Sequence, residues 1–180
     1  MRAVVIYESM YGNTRLVAEA IARGLQPGND VTVASVARAT HELLDGADLV
    51  VVGGPTHMHG MSKAGTRQLA VDQASKRPDE LTLDADAQGP GLREWFGSLG
   101  RMSAMAAAFD TRLAGLAVFT GRASKRIAGL LEHHGLTLIA RPESFLITTD
   151  NELKPGEEER AQEWGKALTA RMPMATEVRP

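Results

Sequence analysis

The run Ala3-Val4-Val5-Ile6-Tyr7, followed at once by a change of period, constrains this chain more than anything else in it. Five consecutive apolar, mostly β-branched residues suit a strand buried on both faces, as in a parallel sheet. Glu8 to Asn13 then reads as a polar, glycine-containing turn. In Thr14 to Leu25 the apolar residues Leu16, Val17, Ala20, Ile21 and Leu25 fall on one helical face, with Gly24 and Gly28 marking its end. A buried strand that feeds an amphipathic helix through a short polar loop is the first half of a βαβ unit.

The alternation continues. Asp30 to Ser35 reads as a second strand, Thr40 to Leu44 as a helical turn, and Asp48 to Val52 as a third strand running into Gly53-Gly54-Pro55. Thr66 to Ala74 is helical, Ser75 to Gly91 a long irregular insertion, and Leu92 to Leu99 a short helix. Ser103 to Phe109 is helical by propensity, since alanine and methionine favour helix. Leu113 to Thr120 is ambiguous. Ala123 to His134 is a helix closed by Gly135, Leu136 to Ala140 a strand continuing through Ser144 to Thr148, and Pro155 to Arg171 the last helix, its first turn carrying Glu157, Glu158 and Glu159. Strand and helix alternating in this way predict an α/β fold with a doubly wound parallel sheet covered on both faces. Residues 1–172 are expected to form one unit with 75–91 inserted, and 173–180 a tail. Ligands in such sheets sit beyond the carboxyl ends of the strands where the winding reverses. The loops after strands one, three and four are therefore the ones to examine.

Composition removes several functions. The net charge is −2 and eight residues are aromatic, so neither a basic face nor stacking rings for nucleic acid are present. Cysteine is absent, which excludes thiol catalysis, disulfides and cysteine-built metal centres. No apolar run is long enough to cross a bilayer, and the first strand is too short for a signal-peptide core. The expectation is a cytoplasmic protein with no membrane partner. His57-Met58-His59 could offer two metal ligands, but no third lies nearby in sequence, so no metal is expected. His133-His134 ends a helix, where a cation is favourable.

The first loop, Glu8-Ser9-Met10-Tyr11-Gly12-Asn13-Thr14, supplies hydroxyls, an amide and a tight turn at a helix start, the chemistry of an anion site. It lacks the lysine of a Walker loop and the spacing of a dinucleotide fingerprint. On local chemistry alone, Thr14 serves equally well as a helix cap.

Ser9-Met10-Tyr11-Gly12-Asn13-Thr14 directly after the first strand resembles the FMN-phosphate loop of the flavodoxin family. Val52-Gly53-Gly54-Pro55-Thr56-His57 after the third strand resembles that family's isoalloxazine loop. Ala106-Ala107-Ala108-Phe109-Asp110-Thr111-Arg112 and Pro142-Glu143-Ser144-Phe145 resemble the fourth and last strands of bacterial flavodoxin-domain proteins. The resemblance implies a strand for Ser103 to Phe109, and a five-stranded sheet in the order 2-1-3-4-5. It implies non-covalent FMN, with the phosphate at Ser9, Met10, Tyr11, Gly12, Asn13 and Thr14. The flavin ring would lie along Pro55, Thr56, His57, Met58, His59 and Gly60, and be covered by Thr111, Arg112, Gly121 and Ser124. No catalytic residue is assigned; His57 and His59 are the candidates, as imidazoles able to stack, donate a hydrogen bond or move a proton.

The chain departs from an electron carrier in two ways. No aromatic lies in the second loop, and Arg112, Arg122, Lys125 and Arg126 gather around the third where a carrier would be acidic. The resemblance thus leaves open an electron carrier docking on a redox partner protein, or a reductase passing electrons from NAD(P)H to a small quinone-like acceptor. A flavodoxin-fold binding or structural module that holds flavin weakly or not at all is the other reading. Oligomeric state is not legible.

Overall fold

The first apolar run forms strand β1 (Arg2–Tyr7), whose Ala3, Val4, Val5 and Ile6 are fully buried in the computed structural model. The structure describes residues 1–57, 60–115 and 121–173. Helix α1 (Asn13–Leu25) leads to strand β2 (Asp30–Ser35), then to the single turn α2 (His41–Leu44) and strand β3 (Leu49–His57). Strands β2 and β3 flank β1 in parallel, with Val5 beside both Val33 and Val51. β3 folds back on itself through β4 (Gly60–Met61). Helices α3 (Ala64–Lys76) and α4 (Leu92–Ser98) precede strand β5 (Met105–Leu113), which lies parallel to β3. Helix α5 (Ala123–His133) leads to β6 (Thr137–Leu138) and β7 (Glu143–Ile147), which share the far edge of β5, and α6 (Glu157–Thr169) follows.

The parallel order is therefore β2-β1-β3-β5 with β6 and β7 in the fifth place, the predicted 2-1-3-4-5 winding with a hairpin added. One face packs Val4, Ile6, Val50, Val52 and Ala108 against Trp95, Phe96, Ile127 and Leu131. The other packs Val5, Val51, Ala107 and Phe109 against Val17, Ile21, Leu25, Phe145 and Leu168. Among the described residues no helix is long and apolar enough to cross a membrane.

Three strands differ from expectation, each for a packing or hydrogen-bonding reason. β3 runs past Val52 to His57, because Gly53 and Gly54 are strand residues. A Cβ on Gly53 would lie within 2.3 Å of the Phe109 ring, and one on Gly54 2.7 Å from Leu92 Cδ1. α1 ends at Leu25 as expected, and Gly24 in its last turn has a second role: a Cβ there would meet Gln162 O of α6 at 2.0 Å. The fourth strand starts at Met105 and runs on to Leu113, since its ladder with β3 continues to Pro55 and Thr111. The last strand is split, and Pro142, which has no N–H to give a ladder, lies in the gap.

Beyond Lys76 the insertion is irregular but pinned. Asp84 N–H donates to Met10 O at 2.8 Å, and Arg15 Nε donates to both Asp84 carboxylate oxygens at 3.2 Å. Most of the expected tail, 174–180, lies outside the described residues.

Candidate functional site

The carboxyl ends of β1, β3, β5 and β7 come together at one edge of the sheet. Leaving β1, the chain turns at Gly12, whose φ of 91° is the left-handed region that a side chain resists. Gly12 N–H donates to Ser9 Oγ at 3.1 Å. Helix α1 begins at Asn13 with no side-chain cap and no acidic residue in its first turn. Its opening N–H groups and the positive end of its dipole are thus left for another acceptor. Thr14 does not cap the helix. Its Oγ1 lies 2.7 Å from Thr111 Oγ1, a hydroxyl pair joining α1 to the end of β5. Asn13 Nδ2 donates to Asn151 O at 2.8 Å. Tyr11 turns its hydroxyl outward from this group and donates to Ala70 O of α3 at 2.8 Å.

From β3, Thr56 Oγ1 accepts the Ala123 N–H at 3.0 Å, which ties this strand end to the start of α5. His57 pairs with Gly60 across the β3–β4 hairpin. Burial holds the His57 pKa below its ordinary value, and the Arg67 charge lowers it further, so the imidazole is neutral near pH 7. From β5, Asp110 is fully buried and its Oδ2 accepts Ser124 N–H at 2.7 Å. Among the described residues, the buried Asp110 Oδ1 and Ser124 Oγ have no hydrogen-bond partner.

A cleft of about 80 Å³ gathers Ser9, Met10, Tyr11, Asn13, Thr14, Pro55, Thr56, His57 and Thr111, all candidates from the sequence. Gly12 stands in the turn beside them. Gly60, Arg112, Gly121 and Ser124 are not among the cleft's lining residues. Ser124 is buried in the first turn of α5, and Arg112 Nη1 donates to Leu113 O and Gly115 O. Met58 and His59 lie outside the described residues. The basic group around the third loop is partly spent inside the fold: Arg122 Nε donates to Ser144 Oγ at 3.0 Å, while Lys125 and Arg126 are exposed on α5.

Sequence reasoning missed Ile147 and Asn151, which close the cleft from the β7 side. Asn151 adopts φ 61° in the turn between the bridged Ile147 and Leu153. The available signal was Asp150-Asn151, a pair suited to a tight turn. Arg67 was missed as the charge acting on His57, since nothing local ties the two.

Comparison with known proteins agrees with this geometry. The sequence model of the flavodoxin family matches residues 5–164. An archaeal flavodoxin structure superposes with a TM-score of 0.63 at 21% identity, covering 96% of this chain and 99% of that one. Flavodoxin 1 of Bacillus cereus gives 0.61 at 17% identity, covering 96% and 97%. The flavodoxin of Streptococcus pneumoniae TIGR4 gives 0.64 at 16% identity, covering 95% and 99%. No curated protein matches by sequence.

Proposed function

The chain belongs to the flavodoxin family, and on that premise we propose that it is an FMN-binding redox protein whose phosphate site is the α1 N-terminus. One observation carries the reading. The first turn of a thirteen-residue helix has neither a side-chain cap nor a carboxylate, and it faces a left-handed glycine with Ser9, Asn13, Thr14 and Thr111 around it. Neutral hydroxyl and amide donors with free backbone N–H groups fit a phosphate dianion. A glycine is required where the backbone must approach it closely.

Bound FMN would supply the electron or hydride chemistry. The chain's own residues would do the rest. Ser9, Gly12, Asn13 and Thr14 bind the phosphate. Pro55, Thr56 and Thr111 set the walls against which the ring lies. His57, neutral at pH 7, can give or receive a hydrogen bond without adding charge beside it. Tyr11, the cleft's aromatic residue among those described, is held by α3 and positions the loop.

A second reading is favoured by the closure of the cleft. At about 80 Å³, with Thr14 bonded to Thr111 and Asn13 to Asn151, it is far below the volume of an ordinary ligand pocket, roughly 300–1,000 Å³. A chain that keeps those bonds would hold flavin weakly and act as a binding module.

Absorption of the purified protein separates the two. The redox reading predicts the visible bands of oxidised flavin, or quenching of added FMN fluorescence by the colourless protein. Absence of both ends it. Anaerobic addition of NAD(P)H to the yellow protein then distinguishes a reductase, which bleaches unaided, from a carrier, which does not. Thr14→Val keeps the side-chain shape and removes the hydroxyl. It should weaken FMN binding by about 1–3 kcal/mol, the cost of leaving a charged acceptor short of one donor. Unchanged affinity would move the phosphate elsewhere.

A further inference from the structure

The loop proposed to hold the phosphate has clefts on both sides. The smaller lies over β3 and β5. The larger, about 330 Å³, lies at the carboxyl ends of β1 and β2 beneath the 77–91 segment, and Ser9 lines both. We propose that this larger cleft is a subsite for an adenosine 5′-phosphate group, the half shared by FAD and NAD(P)H. The proposal deepens the reading above, on which it relies only for the phosphate at α1.

The connectivity argues first. In a right-handed β1–α1–β2 unit, the carboxyl end of β2 comes to lie beside the α1 N-terminus. A nucleotide whose phosphate sits at that N-terminus reaches the β2 end with its nucleoside. Here that end is Ser35, and it opens on the cleft.

The lining argues second. Val33, Val36, Ala87 and Pro90 give apolar walls for a flat ring. Asp84 and Asp86 offer carboxylate oxygens to a ribose diol. Both are already neutralised, so a polar uncharged group meets no bare charge. Arg15 Nε bonds Asp84, and Asp86 accepts from Ser35 Oγ at 2.5 Å with Arg38 Nε 3.4 Å away. Arg15 also reaches the phosphate loop. Its Nη2 is 3.4 Å from the point a Cβ on Gly12 would occupy, which places a cation between the two clefts.

The third argument is an unspent donor. Arg67 lines the same cleft, its side chain only 11% exposed, and its buried Nη1 has no hydrogen-bond partner among the described residues although Nη2 pairs with Glu94. Room for that guanidinium exists because residue 91 is glycine: a Cβ there would sit 2.2 Å from Nη1. A purine nitrogen is an acceptor of the right kind.

Calorimetric titration with AMP, on apoprotein and on FMN-loaded protein, tests this. AMP should bind at least one form. Ala85→Trp fills the cleft from an exposed position, and should weaken AMP by about tenfold or more while leaving FMN affinity unchanged. Asp86→Asn is the second variant, and should narrow the preference for AMP over its 2′,3′-dideoxy analogue. Apoprotein that takes FAD about tenfold tighter than FMN, losing that advantage in Ala85→Trp, identifies FAD as the source. AMP binding on top of FMN identifies a second dinucleotide such as NAD(P)H. A yellow protein that ignores millimolar AMP and holds FMN and FAD equally overturns the subsite alone, as does AMP binding that neither variant alters. A protein that binds AMP but not FMN leaves the subsite standing and removes the redox reading.

Discussion

Helices α1 and α3 are each thirteen residues long and hold the same loop from opposite sides, yet they are built in opposite ways. α1 buries nine residues, among them Val17, Ile21 and Leu25, and its Gly24 lies against α6. α3 buries only Ala70 and Ala74 and leaves Leu69 57% exposed. It is fastened to the loop by the Tyr11–Ala70 hydrogen bond and a small cluster with Met10, Ala87 and Leu83. α1 is part of the core that makes the sheet stable. α3 packs on a small cluster apart from the two main ones. The first loop is thus rigid where it enters α1 and adjustable where Tyr11 and Met10 meet α3.

The largest expected effect breaks the rigid side. Gly165 of α6 passes so close to α1 that a Cβ would be 2.3 Å from Ile21 O, a backbone atom that cannot swing away. Gly165→Val should cost about 3 kcal/mol through forced separation of the helices, read as a lowered urea midpoint. An unchanged midpoint would mean that the α1–α6 contact does not hold the fold.

Next comes Tyr11→Phe, which removes the hydroxyl that Ala70 O accepts while keeping the ring. A loss of about 0.5–1.5 kcal/mol is expected. It should appear locally, as faster hydrogen exchange and proteolysis within 64–91, with faster FMN release and little change in the global unfolding midpoint. A purely global effect would make α3 part of the core after all.

These contrasts explain what was legible in the sequence. The β1 run, the α1 stripe and the strand–helix alternation follow from local periodicity, the winding order came with the family resemblance, and the structure has them all. The family resemblance supplied strand rather than helix for Ser103 to Phe109, against alanine's preference, and from Met105 on the structure has it: β3 provides the ladder on one side, β6 and then β7 on the other. Gly53 and Gly54 were misread as the end of a strand, and Gly24 marks a helix end but does more than that. Each is glycine because a residue distant in sequence, Gln162, Phe109 or Leu92, occupies the space of its side chain. Nine of the candidate site residues meet in one cleft because motif loops sit where strands end. Asn151 and Arg67 enter the site's surroundings only through tertiary folding, so their own neighbours in sequence say nothing of it.

A gentler effect is expected from pH. His57 has its folded pKa held below 6.5, chiefly by burial and then by Arg67, so the unfolded chain binds its proton first on acidification. The stability this neutral imidazole contributes is present above pH 6.5, and is lost as pH falls from there through the folded pKa. The urea midpoint should decline between about pH 7 and pH 5, and His57→Gln should flatten that decline. Equal slopes in the two proteins would show that His57 leaves its buried position before it titrates.

The smallest effect marks the outer limit of α3. Leu69 contributes almost nothing by burial, so Leu69→Gln exchanges an exposed apolar side chain for a good helix former and should change stability by no more than about 0.5 kcal/mol. FMN affinity should stay level too, because Tyr11 and Met10 meet the other face of the helix, at Ala70. A larger loss of stability, dependent on protein concentration, would show that Leu69 is covered by a second copy in solution. A loss independent of concentration would instead show that Leu69 is covered within its own chain, and α3 would then belong with α1 as part of the framework.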